Sequence, residues 1–114
     1  MLPRKYKLKK KTDFKKVFDK GKYYQGRFIS LKILKNDLEI SRFGFIVGLK
    51  ISKKAVDRNR IKRRLENTVQ IIQKRIKFGF DVVVMVRPEI IEKKYTEIKE
   101  NLLDLFKKSG LLLS

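Results

Sequence analysis

The sequence predicts a single α+β domain in which three helices pack on one four-stranded mixed sheet, in the order αβββαβα. Three observations carry that expectation. An apolar strand-like run ending at Leu49 feeds a long amphipathic helix, and a second apolar run, Asp81 to Arg87, follows it; strand, helix, strand within ~45 residues is a crossover unit whose strands lie parallel. The chain has 114 residues, 42% of them hydrophobic, which is enough for one core and too short for two domains. Shorter amphipathic stretches near both ends supply the other two helices.

In chain order, residues 1–11 carry Arg4, Lys5, Lys7, Lys9, Lys10 and Lys11 without an acid and without hydrophobic period. They read as a loosely held basic arm able to follow a phosphate backbone, with a solvated tail as the plain alternative. Thr12-Asp13 supplies an N-cap and a first-turn acid, Phe14, Val17 and Phe18 fall at i, i+3 and i+4, and Gly21 stops the helix. Two aromatics on one stripe are more often core than ligand platform.

From Tyr23 to Lys35 the β-formers Phe28, Ile29, Leu31 and Ile33 predict strand, split at Gly26 into a short and a longer piece. Asn36-Asp37 is a turn. Leu38 to Leu49 is the next predicted strand, with Phe43, Phe45, Val47 and Leu49 on the core face and Arg42, Gly44, Ile46, Gly48 and Lys50 on the other. The central helix is predicted over 56–77, with Ile61, Leu65, Thr68, Ile72 and Ile76 as its apolar stripe. Asp81 to Arg87 reads as a strand buried on both faces and stopped by Pro88. Ile91, Tyr95, Ile98, Leu102 and Leu105 form the stripe of the last helix, with Glu89/Lys93 and Asp104/Lys108 as i, i+4 pairs and Gly110 as its end.

Charge points to the partner. Thirty-one Lys and Arg against 12 Asp and Glu give a net charge of +19, and residues 50–64 hold eight cations against Asp57 alone. Such density around one helix start self-repels unless a polyanion lies opposite. The chain contains no Cys and no His, which removes disulfides, Cys/His zinc sites and the usual neutral-pH general base. The carboxylates do not gather as a metal-dependent nuclease requires, and no phosphate-cradling glycine loop is present. No apolar run approaches the ~20 residues that span a bilayer, so a cytoplasmic protein is expected. Arg58 and Arg63 can each fork two phosphate oxygens, Asn59 can donate and accept, and Lys62 adds a point charge, a set suited to nucleic acid, with RNA favoured over DNA by roughly two to one.

The run Ala55-Val56-x-Arg58-Asn59-Arg60-x-Lys62-Arg63 resembles the signature of the bacterial ribonuclease P protein component. Leu8 to Gly21 is similar to that family's opening helix, Arg42-x-Gly44-Phe45-x-Val47 to its strand before the basic loop, and Asp81-Val82-Val83-Val84 with Arg87-Pro88 to its last strand. The resemblance implies a non-catalytic protein subunit of an endoribonuclease whose RNA carries the active site and which removes 5′ leaders from precursor tRNA. It also implies an α/β sandwich with a left-handed crossover, Mg²⁺ for the assembled particle, and no catalytic residue, metal ligand or cofactor in the protein. Arg58, Asn59, Arg60, Lys62 and Arg63, with Lys50, Lys53 and Lys54, would face the ribonuclease P RNA. Phe14, Phe18 and Lys32, with Lys11 and Lys15, would receive the leader of the precursor tRNA. Membrane and DNA are not implied partners, and a DNA-binding reading lacks a helix-turn-helix or dimer seam. Three positions depart from the family's pattern: Lys32 at a commonly aromatic site, Leu49 at a common lysine and Glu66 at a common arginine. The competing reading is a ribosomal-protein-like binder of structured RNA with no role in cleavage.

Overall fold

The computed structural model describes residues 2–113. Four strands, β1 (Lys22–Gln25), β2 (Ile29–Lys35), β3 (Arg42–Ile46) and β4 (Phe80–Val86), form one sheet in the order β1-β2-β4-β3. β1 and β2 form an antiparallel hairpin, β2 and β4 are antiparallel, and β3 lies parallel to β4. That parallel pair is joined through α2 (Ala55–Ile72), while α1 (Lys11–Lys20) precedes the sheet and α3 (Tyr95–Lys108) closes the chain. The predicted order of elements is the observed one.

Period-two alternation divides the sheet into two faces. Leu31, Ile33, Phe43, Phe45, Val82 and Val84 point to one side, where Ile61, Leu65, Val69 and Ile72 of α2 and Ile98, Leu102, Leu105 and Phe106 of α3 complete the main core. On the other side Val83 meets Val17 of α1 and Leu8, with Phe14, Phe18, Leu34 and Met85 half-buried around them. β4 is therefore covered on both faces, as its unbroken valine run requires. Asn101 locks the hairpin to α3, its side-chain oxygen accepting from the N–H groups of Phe28 (3.3 Å) and Ile29 (3.1 Å).

Several local expectations are corrected. The basic arm is docked rather than loose. Arg4–Tyr6 form a 3₁₀ turn, Lys7 bridges in parallel to Phe43, the Leu8 N–H donates to the Phe43 carbonyl at 2.9 Å, and Leu2 and Leu8 are buried. The arm thus occupies the outer edge of β3 that would otherwise present unpaired backbone. With Leu8 pinned, α1 begins at Lys11 with Lys10 as its N-cap, so Thr12 lies inside the first turn and caps nothing. β3 spans Arg42–Ile46 only; its ladder with β4 runs from Arg42 opposite Asp81 to Ile46 opposite Met85, and residues 47–49 lie in the loop beyond it, where Leu49 is 70% exposed instead of core. α2 ends at Ile72 and passes through a 3₁₀ turn to Ile76, which bridges Leu112. Residues 88–92 form a separate 3₁₀ turn that buries Ile90, so Ile91 and Tyr95 are exposed and α3 starts at Tyr95, where the Glu97 carboxylate accepts the Lys94 N–H. The Glu89/Lys93 and Asp104/Lys108 pairs do not form among the described residues.

Candidate nucleic-acid interface

Two surfaces gather the predicted residues. The first surrounds the start of α2. Ile51 is buried and anchors the preceding loop, and Ser52 organises the turn that follows. The Ser52 hydroxyl donates to Asp57 (3.0 Å) and accepts the Lys54 N–H (3.2 Å), while the Ser52 carbonyl accepts from the Arg58 guanidinium at 2.8 Å. Arg60 leans on Asp57 at 3.5 Å. No side chain caps α2, so its first-turn N–H groups add a positive end to the cluster. Lys50, Lys53, Lys54, Asn59, Lys62 and Arg63 are exposed. Asn59, Lys62 and Arg63 line a hollow of about 430 Å³ together with Lys7 and Glu66.

Glu66 explains its own departure from the family pattern. Its side chain is only 6% exposed and pairs with Lys7 of the arm at 3.6 Å, so it turns inward and holds the N-terminal segment beside α2. The outer surface of the helix stays cationic. Leu8 and Tyr6, alternating within the basic arm, were the available sequence sign that this segment docks, but the partner of Lys7 lies on α2, far away in the chain.

The second surface is the cleft between α1 and the sheet. The register aligns Gly44, Val83, Lys32 and Tyr23 in one row across all four strands, and Ile46, Met85, Ser30 and Gln25 in the next. Val17 seals Val83, both fully buried, and Phe14 lies directly on Gly44, where any Cβ would collide with its ring. Gly44 is thus covered by an aromatic ring. Gly48 lies beyond the strand, in the exposed loop, and does not belong to the cleft face. Phe18 stands over Lys32, whose ammonium donates to the Phe18 carbonyl at 2.6 Å and sits 5.7 Å from the ring centroid. Lys32 therefore positions the end of α1 and the ring above it. Phe14 and Phe18 are half-buried, and Lys11 and Lys15 stand exposed along α1.

A cross-brace that sequence inspection did not find fixes the helix over the sheet. Arg42 donates two hydrogen bonds to Asp81, at 2.9 and 2.7 Å, and approaches Asp13 of α1 at 3.6 Å. The Asp81 hydrogen bonds, and then the nearby charges of Asp81 and Asp13, raise the guanidinium pKa above its ordinary value against the opposing effect of burial. A lone acid opening an apolar strand was the available sign. Among the described residues no three His, Cys, Asp or Glu side chains gather to hold a metal ion, and no helix is long and apolar enough to cross a membrane.

The two surfaces adjoin. Lys7, Lys62 and Glu66, which line the hollow at α2, also line the small recess containing Leu8, Phe14 and Gly44.

Residues 2–110 match the family described as Ribonuclease P. A ribonuclease P protein component of Caldanaerobacter subterraneus subsp. tengcongensis is 38% identical over 105 residues, 92% of this chain and 90% of that protein. One from Pseudanabaena sp. is 36% identical over 113 residues, 98% and 97% of the two chains. Among solved structures, the RNase P protein from Thermotoga maritima has a TM-score of 0.82 at 31% identity, covering 90% of this chain and 96% of that one. An RNase P protein from Staphylococcus aureus has a TM-score of 0.87 at 25% identity, covering 94% and 97%.

Proposed function

The chain belongs to the ribonuclease P protein family, and from that membership we propose how its two surfaces divide the work of the particle. The protein is a subunit of ribonuclease P and acts in tRNA processing. Its catalytic RNA performs the hydrolysis with the Mg²⁺ the particle requires, and the protein holds two RNA segments in register. Arg58, Asn59, Arg60, Lys62 and Arg63, with Lys50, Lys53 and Lys54, face the catalytic RNA. Phe14 and Phe18, with Lys11, Lys15 and Lys32 around them, receive the single-stranded leader of precursor tRNA.

The observation that carries this reading is the contiguity of the two surfaces through Lys7 and Lys62. A strand lying in the cleft leaves it beside the helix that binds the catalytic RNA, so one small protein can bring substrate and catalyst together. Stacking on half-open rings contributes about 1 to 3 kcal/mol per base and tolerates any sequence, as variable leaders require. Cations that neutralise phosphates add a sequence-independent term.

In a holoenzyme that still assembles, Phe18→Ala is expected to lower affinity for precursor tRNA while leaving mature tRNA affinity nearly unchanged. Comparing substrates with a one-nucleotide and a longer leader measures this directly. Equal losses on both, together with a lowered melting temperature, would return the ring to a purely structural role. Rigorously RNA-free protein is expected to leave precursor tRNA uncut over a range of Mg²⁺ concentrations, and addition of the catalytic RNA to restore processing. Metal-dependent cleavage by the protein alone would overturn the assignment of catalysis to the RNA.

A further inference from the structure

Tyr23 is a large aromatic residue, 49% exposed, on the edge strand β1. It occupies the same row of the cleft face as Gly44, Val83 and Lys32, directly across from Lys32. Phe14 covers one end of that row at Gly44, and α1 covers its middle at Val83. The Tyr23 end is open.

The ring does not project freely into water. Its hydroxyl is hydrogen-bonded to the Ser30 hydroxyl at 3.1 Å, and Ser30 belongs to the next row, with Met85 and Ile46. Tyr23 therefore leans from its own row toward the next, where Ser30 is buried, Met85 is half-buried in the cluster under α1, and Ile46, at the far β3 end, is 37% exposed. An aromatic side chain fixed at its tip loses little rotamer freedom when a flat partner arrives, which favours its use as a contact surface. Lys32 cannot supply a flat surface, and its ammonium is engaged by the Phe18 carbonyl. The aromatic surface at this side of the cleft stands instead on the neighbouring strand.

We propose that Tyr23, held by Ser30, is a leader-binding residue that stacks an unpaired nucleobase of precursor tRNA at the β1 end of the cleft. The proposal rests on the reading of the cleft as the leader site and extends that site across the full width of the sheet. Three strand spacings of about 4.8 Å separate β1 from β3, ~14 Å in all. That is about four steps of a single strand at its 3.4 Å stacked rise, so Tyr23 and Phe14 meet different nucleotides.

The test uses holoenzyme reconstituted from the full chain and its catalytic RNA, with precursor tRNAs whose leaders grow from one to about ten nucleotides, and mature tRNA for comparison. Tyr23→Ala is expected to lose about 5- to 140-fold in affinity for long leaders, in line with one stacked base, and to match the native protein on the one-nucleotide leader and on mature tRNA. Tyr23→Phe keeps the ring and should recover most of that loss. The leader length at which the Tyr23→Ala loss sets in should differ from that of Phe14→Ala. Full long-leader affinity in Tyr23→Ala, alongside a loss in Phe14→Ala or Phe18→Ala, would overturn the proposal and leave the cleft reading intact. Undiminished affinity in all three variants would remove the cleft reading itself. A Tyr23→Ala loss that is equal on every substrate, mature tRNA included, would assign Tyr23 a structural role and also overturn the proposal.

Discussion

Replacing Lys62 and Arg63 together by alanine is expected to lower affinity for the catalytic RNA by roughly two orders of magnitude or more at moderate salt, because hydrogen bonds to charged groups contribute ~1.5 to 3 kcal/mol each. Both side chains are exposed and neither forms an ion pair among the described residues, so the fold loses little with them. The same substitution should flatten the dependence of log affinity on log salt by about 1.4 to 1.8, the sum for two phosphate contacts. Titrations of purified RNA at several salt concentrations read both quantities. Arg60→Ala is the informative comparison, since Arg60 already leans on Asp57 at 3.5 Å and has less charge to give. An unchanged salt slope in the double variant would move the RNA contact away from this face of α2.

The second large effect lies beneath the cleft. Asp81→Ala removes the carboxylate that accepts two hydrogen bonds from the Arg42 guanidinium and one, at 2.8 Å, from the Asn36 amide, leaving them only the weaker Asp13 contact and the Ile40 carbonyl. The Asp81 side chain is 8% exposed and that of Arg42 25%, so solvent only partly compensates, and breaking such a pair costs about 3 kcal/mol or more. Urea unfolding should show a lower midpoint, and the melting temperature should fall by roughly 10 °C or more for a domain of this size. Replacing both partners, as Arg42→Met with Asp81→Leu, should cost less than Asp81→Ala alone, because no buried charge is then left unpaired. A single variant that unfolds at the native urea concentration would show that the brace contributes nothing. Since Arg42 also reaches Asp13, α1 should loosen over the sheet, and Phe14 with it.

The elements that could be read from sequence are those whose cause is local. The apolar stripe Ile61, Leu65, Thr68, Ile72 and Ile76 follows the 3.6-residue period, and all five are buried. Gly26 breaks the hairpin where its N–H donates to the Ile29 carbonyl, and the valine run of β4 announces burial on two faces. The basic motif at Arg58 to Arg63 was legible for the same reason, since all its members sit on one helix start and need no other part of the chain to come together.

What only the tertiary structure decided depends on contacts between distant residues. Leu2 and Leu8 turn a basic arm into the cover of an open strand edge, because β3 lies at the margin of the sheet. Glu66 reads as a lost cation until the docked arm brings Lys7 to it. Whether Ile90 or Ile91 is core depends on where Pro88 breaks the backbone, and the two differ by one residue. Phe14 on Gly44, Arg42 between Asp13 and Asp81, and Tyr23 on Ser30 all follow from the strand register. Register is set by the packing of both sheet faces at once, so no single stretch of sequence contains it.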